Sequence, residues 1–396
     1  ELKNTICITE GRRAFSSQHI GDMENITTLD FFHEAVEHFR KILELEPHIF
    51  AYDLHPGYLS TKYFMEMESA LRGEQYGAVG VQHHHAHIAS VIAEHGCTEQ
   101  VIGFSLDGTG YGLDGTVWGG EILLCTPYTF SRVAHLDYVP LPGGESAIRQ
   151  PWRMAFAYLR EAWEGDWKNL NLRCINQVSS HDLEVLDNAC ASGLNCPRTS
   201  SLGRLFDAAA SILDICHVSS YEGQAAIMLE MLAASEHEGR ELPFRIRQNG
   251  PEKFGDYPEL RGNLKDVDLP HAPSVAEGFV LDYKPLVRSI AEGMLRGRAR
   301  SELAMDFHVT LIASLVKAAG IVRNATGVNT IALSGGCMQN RILSELLPAR
   351  LREKGFEVLT NCLVPPNDGG ISLGQAYIAA SIAGLYEDRA RKGDVN

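Results

Sequence analysis

The sharpest local feature of the 396-residue chain is the run Val81-Gln82-His83-His84-His85-Ala86-His87. His83 and His87 stand at i and i+4, so a helix would place both rings on one face with Cβ atoms ~6 Å apart. Two imidazoles at that spacing can share one divalent ion. His84 and His85 would point elsewhere, and a His-rich surface helix is equally compatible with the pattern. A two-His site calls for further ligands, usually carboxylates. Asp107 ends the apolar run Val101–Leu106 and opens the turn Asp107-Gly108-Thr109-Gly110-Tyr111-Gly112. Asp368 lies in Pro365-Pro366-Asn367-Asp368-Gly369-Gly370, just before a helical pattern. Carboxylates at strand ends, flanked by glycine, stand where α/β proteins bind ligands. Asp before Gly is also ordinary turn or helix-cap chemistry. Two His and two Asp without a thiolate suit Fe(II), Zn(II) or Mn(II).

Three loops have the composition of a nucleotide site. The backbone N–H groups of Gly108–Gly115 could face phosphate oxygens, although a tight hairpin turn explains the same residues. No Gly-x-x-x-x-Gly-Lys-[Ser/Thr] occurs. Leu333-Ser334-Gly335-Gly336-Cys337-Met338-Gln339-Asn340 joins a strand pattern to a helix pattern. Gly335 and Gly336 would let a flat ligand approach the backbone, with Asn340 in the first helical turn able to hydrogen-bond it. Cys337 has no His nearby in sequence and reads as a small buried thiol. The third loop is Leu202-Gly203-Arg204-Leu205-Phe206-Asp207 with Tyr221-Glu222-Gly223-Gln224 downstream. Asp207, on the edge of an apolar helical face, could hold ribose hydroxyls or be solvated. Arg149-Gln150-Pro151-Trp152-Arg153 is a ligand clamp or a helix start.

The elements that must position these residues alternate. Strand patterns at Asn4–Thr9 and Arg13–Gln18 precede helix Thr28–Glu44, strand Ile49–Leu54, helix Thr61–Arg72, strand Gly77–Gln82 and a helix through the histidines to Glu94. A second unit begins at Val101–Leu106, with strands Thr116–Cys125 and Arg132–Tyr138. After a helical stretch come helix Glu302–Arg323, strand Thr330–Ser334, helix Met338–Glu353, strand Glu357–Thr360 and helix Ile371–Ala383. This predicts an α/β first lobe over 1–96 and a second α/β lobe over 97–396, the latter carrying a mainly helical insertion at about 140–300. The formal charge of −15 argues against a stand-alone nucleic-acid binder. No apolar run approaches the ~20 residues of a membrane span. The nine cysteines include no Cys-x-x-Cys pair, which points to reduced thiols in a cytoplasmic protein rather than zinc or disulfides. A start without Met or a signal-peptide pattern reads as a chain cut from a longer one.

Taken together, His83-x-x-x-His87, Ser105-Leu106-Asp107-Gly108-Thr109-Gly110, Leu202–Asp207, Tyr221–Gln224, Ser334–Asn340 and Asn367–Gly370 resemble the C-terminal carbamoyltransferase domain of the HypF family. So do the opening Glu1-Leu2-Lys3-Asn4-Thr5 and Ser17–Asp22. HypF proteins mature nickel–iron hydrogenases, and this domain is similar to the tRNA threonylcarbamoyl transferases. The resemblance implies a duplicated, bilobal actin/Hsp70/sugar-kinase-like fold. It implies transfer of a carbamoyl group from carbamoyl adenylate to the C-terminal cysteine of HypE, on the way to the cyanide ligands of the hydrogenase iron. It also implies His83, His87, Asp107 and Asp368 as ligands of a divalent metal, Fe or Zn. Contacts to an ATP- or AMP-type nucleotide would fall on Gly108, Thr109, Gly110, Asp207, Gly223, Gln224, Gly335, Gly336 and Asn340. The cysteine pairs of the family's zinc fingers are absent, so adenylate formation is expected from domains outside this sequence.

Two other readings stay open: an O-carbamoyltransferase acting on a small-molecule hydroxyl, and a non-catalytic nucleotide-binding module of the same superfold. No nucleic-acid or membrane partner is expected.

Overall fold

A computed structural model describes residues 2–23, 25–70, 76–250, 257–273, 275 and 277–392. Glu1 of the opening motif and Leu71–Arg72, the expected end of the second helix, lie outside the described residues. An antiparallel hairpin, β1 (Cys7–Glu10) and β2 (Arg13–Ser16), precedes α1 (Ile26–Leu43), β3 (Ile49–Asp53), α2 (Leu59–Ala70), β4 (Gly77–Val81) and α3 (His83–His95). The chain continues through β5 (Val101–Leu106), β6 (Gly120–Cys125), β7 (Phe130–Leu136) and β8 (Val139–Pro140). Helices α4 (Glu145–Arg149), α5 (Pro151–Trp163), α6 (Arg173–Asn176) and α7 (Ser180–Ser192) come next. Then follow β9 (Arg198–Thr199), α8 (Leu202–Ile212), α9 (Gln224–Ala233), β10 (Arg245–Asn249), β11 (Glu259–Gly262) and β12 (Gly278–Asp282). The last elements are α10 (Lys284–Leu295), α11 (Arg300–Thr326), β13 (Thr330–Ser334), α12 (Arg341–Glu353), β14 (Glu357–Thr360) and α13 (Ile371–Lys392).

Two unequal sheets carry most of the described strands, beside the β1–β2 hairpin and the short β8–β9 pair. The seven-stranded sheet has the order β10-β12-β7-β6-β5-β13-β14, and the three-stranded sheet has β11-β4-β3. In the large sheet, β5, β6 and β7 form an antiparallel meander, while β13 runs parallel to both β5 and β14. The segment read as mainly helical therefore also supplies strands: β12 pairs parallel with β7, and β11 pairs antiparallel with β4. All five residues of β12 are buried. A short apolar run buried on both faces has no alternation to reveal it as a strand. The main core packs Ile102, Phe104, Leu106, Ile122 and Leu333 of the large sheet against α5, α8, α10 and α11. Among the described residues one helix, Arg300–Thr326, is long and apolar enough to cross a membrane, and 67% of its apolar window is buried inside the fold.

Helix α3 lies at the junction of the two sheets. Gln82 caps it, its side-chain oxygen accepting from the backbone N–H of His84 and His85. Residues His83–Ile92 are all buried. Val79, Val81, Ala86 and Ala89 form one core cluster with Ile378 and Ile382 of α13. The contact between α3 and α13 is so close that a Cβ at Gly374 would stand 1.9 Å from the carbonyl oxygen of Ala86. Gly374→Ala should therefore force the helices apart and destabilise the fold by about 1–3 kcal/mol or more, read by chemical denaturation. Unchanged stability would show that the two helices can separate freely.

Candidate metal and nucleotide site

Three strand ends and one loop converge beside α3. His83 and His87 project from its first turns, with ring centroids 5.0 Å apart. Asp107 follows β5, and Asp368 opens the 3-10 turn that leads into α13. One ligand atom from each of His83, His87, Asp107 and Asp368 lies within 4.8 Å of the others. Nε2 of His83 and of His87 stand 3.4 and 3.5 Å from Asp107 Oδ2. The corresponding separations from Asp368 Oδ1 are 4.0 and 3.8 Å. Both Nε2 atoms and Asp107 Oδ2 are buried with no hydrogen-bond partner. Buried polar atoms without partners cost about 1–3 kcal/mol each. Converging on one point with two imidazole nitrogens and two carboxylates, they fit a divalent cation of the Fe, Zn or Mn type.

The supporting groups fix which atom each ligand presents. Asp53, at the end of β3, lies 3.1 Å from His83 Nδ1 and accepts the backbone N–H of His55 at 2.8 Å. It takes the Nδ1–H and leaves Nε2 to face the cluster. Gly336 donates its backbone N–H to Asp107 Oδ1 at 2.9 Å, which leaves Oδ2 free. Burial opposes a charge on His83, but the carboxylates of Asp107 and Asp53 outweigh it and raise the imidazole to about 10. Burial pushes Asp107 the other way, yet His83 and His87 hold it well below the usual carboxylate range. Burial, and then the charge of Asp107, raise Asp368. His84 is different: burial, then the neighbouring His83, hold it well below its ordinary value. Gln82 Nε2 faces its Nδ1 at 3.1 Å, so the ring is the neutral Nε2–H form.

Sequence reading missed Asp53 and Lys3. Asp53 had the same signal as Asp107, a carboxylate at the end of an apolar strand, but no glycine turn drew attention to it. Lys3 carries no signal of its own beyond its place in the opening motif. Its ammonium pairs with Glu222 at 2.5 Å. Burial works against its charge, but Glu222, Asp368 and Asp107 outweigh this and raise its pKa. Its backbone has φ 50°, the left-handed region that non-glycine residues rarely occupy.

The nucleotide candidates divide into two groups. Gly108, Gly335 and Gly336 gather around Asp107, while Asp207 stands beside Arg204, whose Nη2 would lie 3.8 Å from a Cβ at Gly108. Gly203 donates its N–H to the Asp107 carbonyl at 3.1 Å, and Ser201 Oγ donates to the Gly108 carbonyl at 2.6 Å. Half-buried Thr109 follows, and Gly110 lies against the His83 and His84 rings, where a Cβ would be 2.4 Å from His84 Cε1. Asp207 Oδ2 lies 3.0 Å from Arg204 Nε, but out of hydrogen-bond alignment, and both atoms are buried without hydrogen-bond partners. Burial pushes the Asp207 carboxyl up to about 6, with Arg204 pulling it down. The remaining candidates stand at helix starts. Gly223 opens α9, and Gln224 Oε1 accepts from the backbone and hydroxyl of Ser220. Asn340 is not inside the helix but is the N-cap of α12: Oδ1 accepts from the Leu343 N–H at 3.0 Å, and Nδ2 faces His308. Burial raises the Cys337 thiol well above its ordinary value, which keeps it protonated at neutral pH.

Asp207 makes a test of its own. Its folded carboxyl holds a proton more tightly than the unfolded one, so folding gains on acidification. Wild-type stability relative to Asp207→Asn should fall by up to about 3 kcal/mol as pH rises from 3.8 through about 6. Denaturation midpoints across that range would check it, and a flat difference would count against a buried carboxyl that Arg204 compensates only in part.

Comparison with known proteins agrees with these features. The family described as the HypF Kae1-like domain matches residues 1–94. The family described as "Carbamoyltransferase, Kae1-like Domain, second subdomain" matches residues 103–375. Carbamoyltransferase HypF2 of Cupriavidus necator is 42% identical over 96% of this chain, which spans 45% of that relative's length. A carbamoyltransferase HypF homolog of the same organism is 36% identical over 96% of this chain and 89% of its own length. A crystal structure of full-length HypF, in the phosphate- and nucleotide-bound form, superposes with a TM-score of 0.82 at 38% identity, covering 96% of this chain and 45% of that one. The mixed central sheet is that of the actin/Hsp70/sugar-kinase-like class, and the chain belongs to the HypF Kae1-like carbamoyltransferase-domain family.

Proposed function

We propose that this chain transfers the carbamoyl group of carbamoyl adenylate to the C-terminal cysteine thiol of HypE. Dehydration of that product would supply the cyanide ligands of nickel–iron hydrogenases, in the cytoplasm. The observation that carries this reading is the convergence of His83, His87, Asp107 and Asp368 within 4.8 Å, beside loops suited to an adenylate. Membership of the family, and a nucleotide-bound neighbour of the same fold, support it.

His83, His87, Asp107 and Asp368 would hold Fe(II) or Zn(II), which, when bound, supplies Lewis-acid polarisation of a carbonyl or phosphate oxygen. Asp53 keeps the His83 ring turned, and the Gly336 N–H keeps Asp107 aimed. Backbone amides of Gly108, Thr109, Gly110, Gly335 and Gly336 would face the phosphate. Asp207 and Arg204, both short of partners, would take ribose hydroxyls. Gly223, Gln224 and Asn340 would line the base end through their backbone and remaining donors. Lys3 would offset charge on departing AMP. The acceptor thiolate attacks the carbamoyl carbon, the carbon–oxygen bond to phosphate breaks, and AMP leaves with that electron pair. Cys337, held as a thiol, does not compete as nucleophile.

The test combines the purified chain, carbamoyl adenylate and HypE, with peptide mass spectrometry of the HypE C-terminus. Carbamoyl on the terminal cysteine supports the reading. Carbamoylation of a small-molecule hydroxyl instead would replace it, and nucleotide binding without transfer would reject both.

A further inference from the structure

The face of α3 that presents His83 and His87 continues at Ser90 and Glu94, along one helical stripe with intervals of four, three and four. Those two further residues reach no ligand atom of the cluster. They grip the loop that carries Asp368. Glu94 Oε2 accepts the backbone N–H of Cys362 at 2.6 Å and of Leu363 at 2.9 Å. Its Oε1 accepts the N–H of Val364 at 2.9 Å. Three successive amides thus close on one carboxylate, a charge-assisted nest of fixed geometry. Leu363 shows that the backbone is what is held, because its side chain is 84% exposed.

Asn361 ties the same loop sideways. Its Nδ2 donates to Ser90 Oγ at 2.9 Å, and its Oδ1 accepts from Ser334 Oγ at 2.8 Å. Ser90 Oγ in turn donates to the carbonyl of His87, a proposed metal ligand, at 2.7 Å. Beyond Val364, Pro365 and Pro366 have fixed φ, and the Gly335 N–H donates to the Pro366 carbonyl at 2.9 Å. Few free torsions remain between the Glu94 nest and Asp368.

We propose that Glu94 is a positioning residue: from the far end of the helix that carries both histidines, it sets the register of the 361–367 loop and so the reach of Asp368. One helix would then fix both sides of the site. This rests on the metal reading above only where metal affinity is concerned.

The experiment uses the Cys362→Ser background, because Glu94, His95 and Cys362 also bring ligand atoms within 4.8 Å of one another and could take up added zinc. In metal-free protein, Glu94→Gln should speed amide hydrogen exchange at Cys362–Val364 (position 362 being Ser in that background) and also at Gly369–Gly370, beside Asp368. Asn361→Ala should act in the same direction. Faster exchange confined to 362–364 would overturn the proposal. In Zn(II) titrations with a competing chelator, Glu94→Gln should weaken affinity about 10–100-fold. It should weaken it no further when Asp368→Ala is already present. Fully additive losses would place the action of Glu94 elsewhere and overturn the proposal. If His83→Ala leaves zinc affinity unchanged, the metal reading fails and the exchange result alone decides the clamp.

Discussion

Alanine at His87 should empty the chain of tightly bound divalent metal while leaving it folded. The ring is fully buried, yet neither nitrogen has a hydrogen-bond partner, so its removal breaks no internal hydrogen bond. What disappears is one of four donors. Supporting groups around metal ligands are worth 10–100-fold in affinity, so losing a ligand should cost at least about 100-fold. His85 is the control from the same run. Its Nδ1 faces the Tyr257 hydroxyl and its Nε2 faces the Thr126 carbonyl, each at 2.9 Å, away from the cluster. His85→Ala should lower thermal stability and keep the metal. Elemental analysis of both variants after dialysis separates the cases. Equal metal content in wild type and His87→Ala would remove the proposed centre, since Asp107 and Asp368 would then face each other for some other reason.

What the sequence could show follows from the range of the interactions involved. The i, i+4 pair of histidines is local, and the helix that aligns them is capped by the residue before it. Asp107 was legible because a strand end and a glycine turn are also local signals. Asp53 was not, because its relation to His83 depends on β3 pairing parallel with β4, which brings Asp53 opposite Val81. Lys3 was hidden for the same reason: its segment is placed by Thr5 Oγ1 bonding the Gly369 carbonyl at 3.1 Å, across nearly the whole chain. Asn340 was legible as a polar residue at a helix start, but its capping role was not: Oδ1 accepts from the Leu343 N–H, a bond made from just outside the first turn rather than within it.

Breaking the ion pair between Glu121 and Arg132 should be the most destabilising single change at the base of the site. Both side chains are fully buried and meet at 2.5 Å. Glu121 Oε1 also accepts the backbone N–H of Gly119 and Gly120 at 3.1 and 3.2 Å and the Ser200 hydroxyl at 2.5 Å. Arg132 stacks 4.0 Å from the Trp118 ring and donates to the Tyr138 hydroxyl. Glu121→Ala leaves the buried Arg132 guanidinium with the more distant carboxylate of Asp114, at 3.7 Å, in place of the close one, and breaking a buried pair in this way costs about 3–5 kcal/mol. The damage should extend to the metal. The Asp107 N–H donates to the Gly119 carbonyl at 2.6 Å, so the strand end that aims Asp107 rests on the residues Glu121 holds. Replacing both partners by apolar residues, Glu121→Leu with Arg132→Met, should return most of the stability, because well-packed apolar pairs can match buried ion pairs. Metal affinity should stay low, since the amides of Gly119 and Gly120 and the hydroxyl of Ser200 would still lack their acceptor. Denaturant unfolding beside zinc titration reads the two effects separately. Recovery of both in the double variant would show that Glu121 supports the fold without aiming Asp107.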